Sequence, residues 1–246
     1  MLISTDLPYY DRASYADLSD FFYVWLKFGL EDLYPSWFQS EATPKKEELT
    51  AFTYRWKGDR AQANAFYAEG LKLAFKNLYE SAGTEYPSSI AFIYRGNDAG
   101  NKDSLTEWET FVTAACDAGF AITASWPLAR KYENSIPLSE SRGIPVTVVL
   151  RKRSDSASQT TRRVFVSTVK RELPGIVDEL GQKVSLMDLR TSIIGQALNI
   201  YSKYSRVLDA DGTAMRPHMA SRIIEQELDT MLYTIYNEAK DGKEEH

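Results

Sequence analysis

The chain has 246 residues, 43% of them hydrophobic, enough for one large domain or one domain with an appendage. Its single cysteine, Cys116, excludes an internal disulfide framework and fits a reducing cytoplasm; with only two histidines, His218 and His246, a Cys/His metal cluster is excluded as well. The net charge of −5 excludes a generally DNA-coating protein, no apolar run approaches the roughly 20 residues that span a bilayer, and the N-terminus lacks the basic-then-apolar order of a signal peptide.

In chain order, residues 15–34 read as a helix. Ser14 is placed to cap it, with Asp17 three residues on in a shortened capping box. Leu18, Phe21, Phe22, Trp25, Leu26, Leu30 and Leu33 recur at helical spacing. The run Phe21–Leu26 is apolar nearly all round, which predicts burial on more than one side. Residues 36–58, with Pro44 and the charged run Lys45–Glu48, read as a surface excursion. A second helix, 60–79, places Ala63, Phe66, Tyr67, Leu71, Ala74 and Leu78 on one face, and Gly83 and Pro87 follow its end.

Residues 88–95 read as a buried strand and 96–103 as a loop. Ser104 to Glu107 has capping-box spacing and opens a helix with the stripe Trp108, Phe111, Val112 and Ala115, which Gly119 stops. Residues 120–126 and 144–152 read as strands. This order predicts an α/β sheet finishing in a hairpin-like pair. After a polar linker at 154–161, residues 162–180, 188–207 and 217–239 read as helices, the second capped by Asp188 and the third with Pro217 near its first turn. They are expected to form an all-helical appendage, dividing the chain into 1–153 and 162–246.

Charge is uneven. Between Arg130 and Arg171 there are ten Lys/Arg and three acids, so this segment carries +7 and the remainder −12. It is either a polyanion-facing edge or a solvated basic loop. Trp126-Pro127 with Arg130 sits where a strand leaves the sheet; it is either a DNA contact, together with Arg151 and Arg153, or a Trp packed on the helix 104–118. The glycines of RGNDAGN (95–101) lack the spacing of a phosphate loop, and DADG (209–212) lacks the Gly and Glu positions of a calcium loop. Both read as turns or surface loops.

The stretch with chemical content is Asp6-Leu7-Pro8-Tyr9. An exocyclic base amine is a poor nucleophile because its lone pair is shared with the ring. A site helps by accepting hydrogen bonds from both N–H groups, so that developing charge is stabilised where it appears. The Asp6 carboxylate and the Leu7 carbonyl are two such acceptors, Pro8 stiffens the turn, and Tyr9 offers a face to a base taken out of its stack. Tyr10 either lines that pocket or belongs to the core. The competing reading of the four residues is an Asp-initiated turn.

The longer stretch TDLPYYDRASYADLSDFFYVWLK resembles the catalytic loop and following helix of adenine-specific DNA methylases of the zinc-ribbon-containing type, whose loop reads Asp-Pro-Pro-Tyr-Tyr-Asp. GFAITASWPLARKYEN, PGIVDEL and DLRTSIIGQALNIYSKYSRVLDADGTAM resemble later parts of the same family, in the same order. The resemblance implies the C-terminal half of a Rossmann-like class I methyltransferase sheet, with Asp6 to Tyr9 catalytic, S-adenosylmethionine as methyl donor, DNA as substrate, and a place in restriction–modification or phage defence. Two departures stand out. Leu7 replaces a proline, which keeps the carbonyl but predicts a looser loop. The glycine-rich cofactor turn and the zinc-ribbon cysteines are missing, and only five residues precede Asp6, so a separate or deleted N-terminal half is expected to hold the cofactor. The alternative is a non-catalytic DNA-binding or assembly remnant.

Overall fold

Strict alternation marks the central strand. In a computed structural model that describes residues 1–94, 102–128, 144–181 and 186–244, β4 (Ile144–Lys152) buries Val146, Val148 and Leu150 and leaves the residues between them half-covered. On one side of it lies β2 (Ser88–Tyr94), antiparallel, with Ile90 opposite Val148. On the other lies β3 (Phe120–Pro127), also antiparallel. β1 (Ser4–Asp6) joins the outer edge of β2 in parallel, giving the order β1-β2-β4-β3. The fold class is therefore α/β with a mixed four-stranded sheet, and the expected β3–β4 pair is present.

The chain divides into two compact units, Met1–Leu7 with Ala74–His246, and Pro8–Leu73. The first holds the sheet. The stripe of α3 (Lys102–Asp117) buries Trp108, Phe111, Val112 and Ala115; Phe111 stacks on Phe92 of β2 at 5.1 Å and meets Phe75 edge-on at 5.6 Å. Phe75 lies near the end of α2 (Arg60–Ser81). Gly119 ends the α3 turn with φ of +103°, a conformation that costs a glycine little.

α4 (Arg162–Gly181), α5 (Leu186–Ser202) and α6 (Pro217–Glu244) follow. α5 lies along β3, so close that a β-carbon on Gly195 would fall 2.2 Å from that of Ser125. Ser202 closes the same contact: its hydroxyl accepts from the Ile122 N–H at 2.8 Å and donates to the Ile122 carbonyl at 3.1 Å. Among the described residues β3 is an edge strand, with a register shift between Ile122 and Ala124, and Ser202 bonds the backbone N–H and carbonyl of Ile122 there.

Three local readings need correction. The region from 162 onward is not all helical: residues 206–208 form β6, parallel to β5 (Gln159–Thr161), so the helix expected to reach 207 stops at Ser202. The backbone after the stop finds partners in that two-stranded ladder instead. Ser104 and Asp188 are not caps, because α3 begins at Lys102 and α5 at Leu186. A residue inside the helix has lost the extended backbone that a cap requires.

The second unit is built on two tyrosines. Tyr10 and Tyr67 are buried edge to face, 5.1 Å apart. Tyr10 donates to Asn64 Oδ1, and Tyr67 donates to the Pro8 carbonyl at 3.0 Å. Ala51, Ala63 and Leu71 complete this core. The segment 36–58 has only a 3₁₀ turn at Thr53–Trp56, followed by Lys57 and Gly58 with positive φ.

The largest departure from expectation is α1 (Tyr15–Leu30), which has no buried residue. Its half-buried positions are Ala16, Asp20, Tyr23, Lys27 and Leu30. This stripe is mostly polar, and the segment 40–48 holds it. Tyr23 and Lys27 both donate to the Ser40 carbonyl at 2.9 Å. Lys45 donates to Asp20 at 2.6 Å and to the Ala16 carbonyl at 2.9 Å. The cap differs too. The Ser14 hydroxyl donates to the Asp17 carboxylate, and it is Glu48 Oε1 that accepts from the Ala16 N–H at 3.0 Å. The face turned toward this segment is thus the one that makes these hydrogen bonds, not the one the apolar periodicity marks.

Hydrogen bonds from Lys45 and Thr43 hold the Asp20 carboxyl down from 3.8 to about 2. A carboxyl depressed by folding contributes stability that is fully present above 3.8 and is lost as pH falls through about 2. A carboxyl-detected NMR titration is expected to place the Asp20 midpoint near the bottom of that window; a midpoint at the ordinary value would show that Lys45 does not hold it in solution.

Candidate active site

The four residues singled out in sequence lie on both sides of the boundary between the units, which falls between Leu7 and Pro8. In the first unit, Asp6 is the last residue of β1, at the carboxyl end of an edge strand. It is exposed, and no hydrogen bond or ion pair engages its carboxylate among the described residues. Leu7 is buried, and its N–H donates to the Ala91 carbonyl at 3.4 Å, which carries the β1–β2 ladder one residue further. A proline at position 7 could not make that bond. The loop expected to be looser thus gains a tether.

In the second unit, Pro8 is exposed and its carbonyl accepts from Tyr67. The Tyr9 ring is half-buried, 5.9 Å from that of Tyr15 at 34°. Tyr10 has 1% of its surface exposed and is a core residue. The open alternative for Tyr10 therefore falls to packing.

The basic candidates fare differently. Arg151 is exposed at the end of β4. Arg153 donates to the Tyr204 carbonyl at 2.8 Å and to the Cys116 carbonyl, so its guanidinium ties α3 to the segment after α5. Trp126 is 40% exposed near the end of β3. Arg130 lies outside the described residues, as does the loop 95–101. DADG forms a turn after β6: the Gly212 N–H donates to the Asp209 carbonyl at 3.0 Å, and Asp211 accepts from the Thr213 N–H and hydroxyl. Among the described residues no group of His, Cys, Asp or Glu is arranged to hold a metal ion.

No protein-family model, no curated protein and no solved structure matches the chain. Its own geometry is what bears on function.

That geometry includes a cluster the sequence reading passed over as a surface excursion. Arg55 pairs with Glu48 at 2.5 Å and donates to Ser14 Oγ at 2.6 Å, and its guanidinium carbon lies 5.7 and 5.8 Å from the ring centroids of Tyr54 and Phe52. Lys45, Lys46, Glu48, Thr50, Arg55, Trp56 and Phe66 line a cavity of about 490 Å³. The signal in sequence was the charged run Lys45–Glu48 followed by Phe52, Tyr54 and Trp56 at every second position around Arg55.

Cys116 is buried on α3, and burial pushes its thiol up to about 12. It is an inert core residue. A disulfide reagent at mildly alkaline pH is expected to leave it untouched in the native chain and to titrate one thiol per chain after denaturation. Rapid native labelling would contradict the packing of α3.

S-adenosylmethionine does not fit the residues present. Its crevice in a doubly wound sheet lies between strands on either side of the switch point, at their carboxyl ends. Among the described residues the sheet ends at β1, so that crevice would have one wall here. A glycine-rich turn beside a strand, the other requirement, is also missing from the chain.

Proposed function

We propose that the chain is the catalytic-loop portion of a DNA adenine methyltransferase, working with a complementary half that binds the methyl donor. The observation that supports this reading is the sheet order. Two antiparallel steps, β2 to β4 and β4 to β3, make β3 parallel to β2 and β1. Three parallel strands therefore run outward in sequence order, with one reversed strand inserted. The second half of a doubly wound sheet is built in this way, outward from the switch point, and ligands bind at the carboxyl end of its first strand. Here that strand is β1 and that end is Asp6.

In this reading the exposed Asp6 carboxylate accepts one N–H of the target amine and the Leu7 carbonyl accepts the other. Both are acceptors only, so they stabilise positive charge as it develops on nitrogen. Pro8 stiffens the connection, and Tyr9 supplies a ring on which the extruded base stacks. Arg151, exposed at the end of β4, is placed to meet phosphate, whereas Arg153 is committed to carbonyls. The outer edge of β1, which pairs with no strand among the described residues, accepts the strand of the complementary half.

The test is complementation. The chain alone is expected neither to bind S-adenosylmethionine by calorimetry nor to methylate adenine in DNA; adding a cofactor-binding half restores both. Methylation by the purified chain without a complement would overturn the reading.

Among the described residues no helix is long and apolar enough to cross a membrane.

A further inference from the structure

We propose that α1 is a self-association surface through which two copies of this chain pair. The helix is inverted relative to an ordinary surface helix. Its polar stripe, Ala16, Asp20, Tyr23 and Lys27, is the face held by the segment 40–48. At 100° per residue, Leu18, Phe21, Phe22, Val24, Trp25, Leu26 and Phe28 cover an arc of about 200° on the other side. All seven are exposed, Trp25 to 68% and Phe28 to 86%.

The size of this patch decides that something covers it. Six side chains, Tyr15, Leu18, Phe21, Phe22, Trp25 and Phe28, average about two-thirds exposed, so at ~200 Å² each they present about 800 Å². Monomers seldom leave apolar patches beyond a few hundred Å². A stable pairwise interface takes ~800 Å² from each partner.

Three features favour a second copy as the occupant. The first is electrical. Asp17 and Asp20, the two acids of the helix, are engaged by Tyr54, Arg55 and Lys45, so two identical arcs can meet without unpaired like charges. The second is steric. In an antiparallel twofold pair centred on Phe22, Tyr15 of one copy falls opposite Gly29 of the other. Gly29 has nothing within 4 Å of where its side chain would be. A large residue near the start of the helix and an open glycine near its end make the face self-complementary, as a twofold interface must be. The third is the helix dipole, which antiparallel pairing places head to tail with its partner. The polar stripe is occupied by the segment 40–48, so its one lysine, Lys27, is not offered to an anionic lipid surface.

The experiment is sedimentation equilibrium on the full chain over about a hundredfold range of concentration. The parent chain is expected at twice its mass of 27.9 kDa. Phe22→Asp and Trp25→Asp, each at an exposed position, are expected to bring it to the single-chain mass with an unchanged circular dichroism spectrum. A parent chain that stays monomeric overturns the proposal, and so does a dimer indifferent to both substitutions. An open series of oligomers overturns it as well, because a twofold contact closes at two copies. A monomer that floats with phosphatidylcholine vesicles would assign the patch to lipid instead.

Discussion

Under the function proposed above, Asp6→Ala is expected to lower methyl transfer to adenine by about 10²–10³-fold or more in the reconstituted pair, with little change in the stability of the chain. The expectation rests on two facts about one residue. Asp6 ends the strand at which a doubly wound sheet would place its substrate, and its carboxylate has no structural partner among the described residues. A group that supports nothing in the fold can be removed without cost to the fold, so lost activity would report chemistry. DNA binding measured beside it separates the loss of a transition-state contact, which spares binding, from the loss of a substrate contact, which does not. Transfer by Asp6→Ala at the parent rate would sink the assignment. Leu7→Pro is the informative companion. It keeps the carbonyl acceptor and removes the N–H that donates to Ala91, so it is expected to retain activity while loosening the end of the β1–β2 ladder.

Gly195→Ala is expected to destabilise the chain by about 1–3 kcal/mol. The added carbon would lie 2.2 Å from Ser125 Cβ and Oγ, at the contact of α5 with β3. The strand cannot simply retreat, because Ser125 donates to the Thr191 carbonyl at 3.0 Å and Ser202 holds Ile122 from the same helix. Urea unfolding is the measurement: the midpoint should fall with the slope unchanged. Ser125→Gly in the same chain is expected to recover part of the loss, because it empties the space the new methyl needs. A double-mutant cycle with no coupling between the two positions would show that α5 does not pack on β3 as described.

Much of the sheet was legible because its signals are local. β4 is a run of mostly β-branched apolar residues, Gly119 is the kind of residue that ends a helix, and Trp108, Phe111, Val112 and Ala115 recur at the helical period. Each depends on residues within one or two turns of one another. The errors were nonlocal. Ser104 and Asp188 are residues of the capping type, but the helices begin two residues earlier, at Lys102 and Leu186. Residues 206–208 extend because 159–161 offers them a ladder, and nothing near them in sequence announces it.

α1 is the clearest case. Periodicity placed the helix and identified its apolar residues. By itself the sequence determined that a helix forms here, that it carries more aromatic surface than one side can bury, and that Asp6 to Tyr9 precede it with two acceptors and a ring. Only the tertiary structure decided which face turns inward. Glu48 caps the first turn from 32 residues away, and Lys45 and Thr43 bind Asp20 from more than 20 away. Apolar attraction has no direction and is satisfied by any partner, including one on another chain. A hydrogen bond has to be made at a fixed distance and angle, by a group the fold has already brought there.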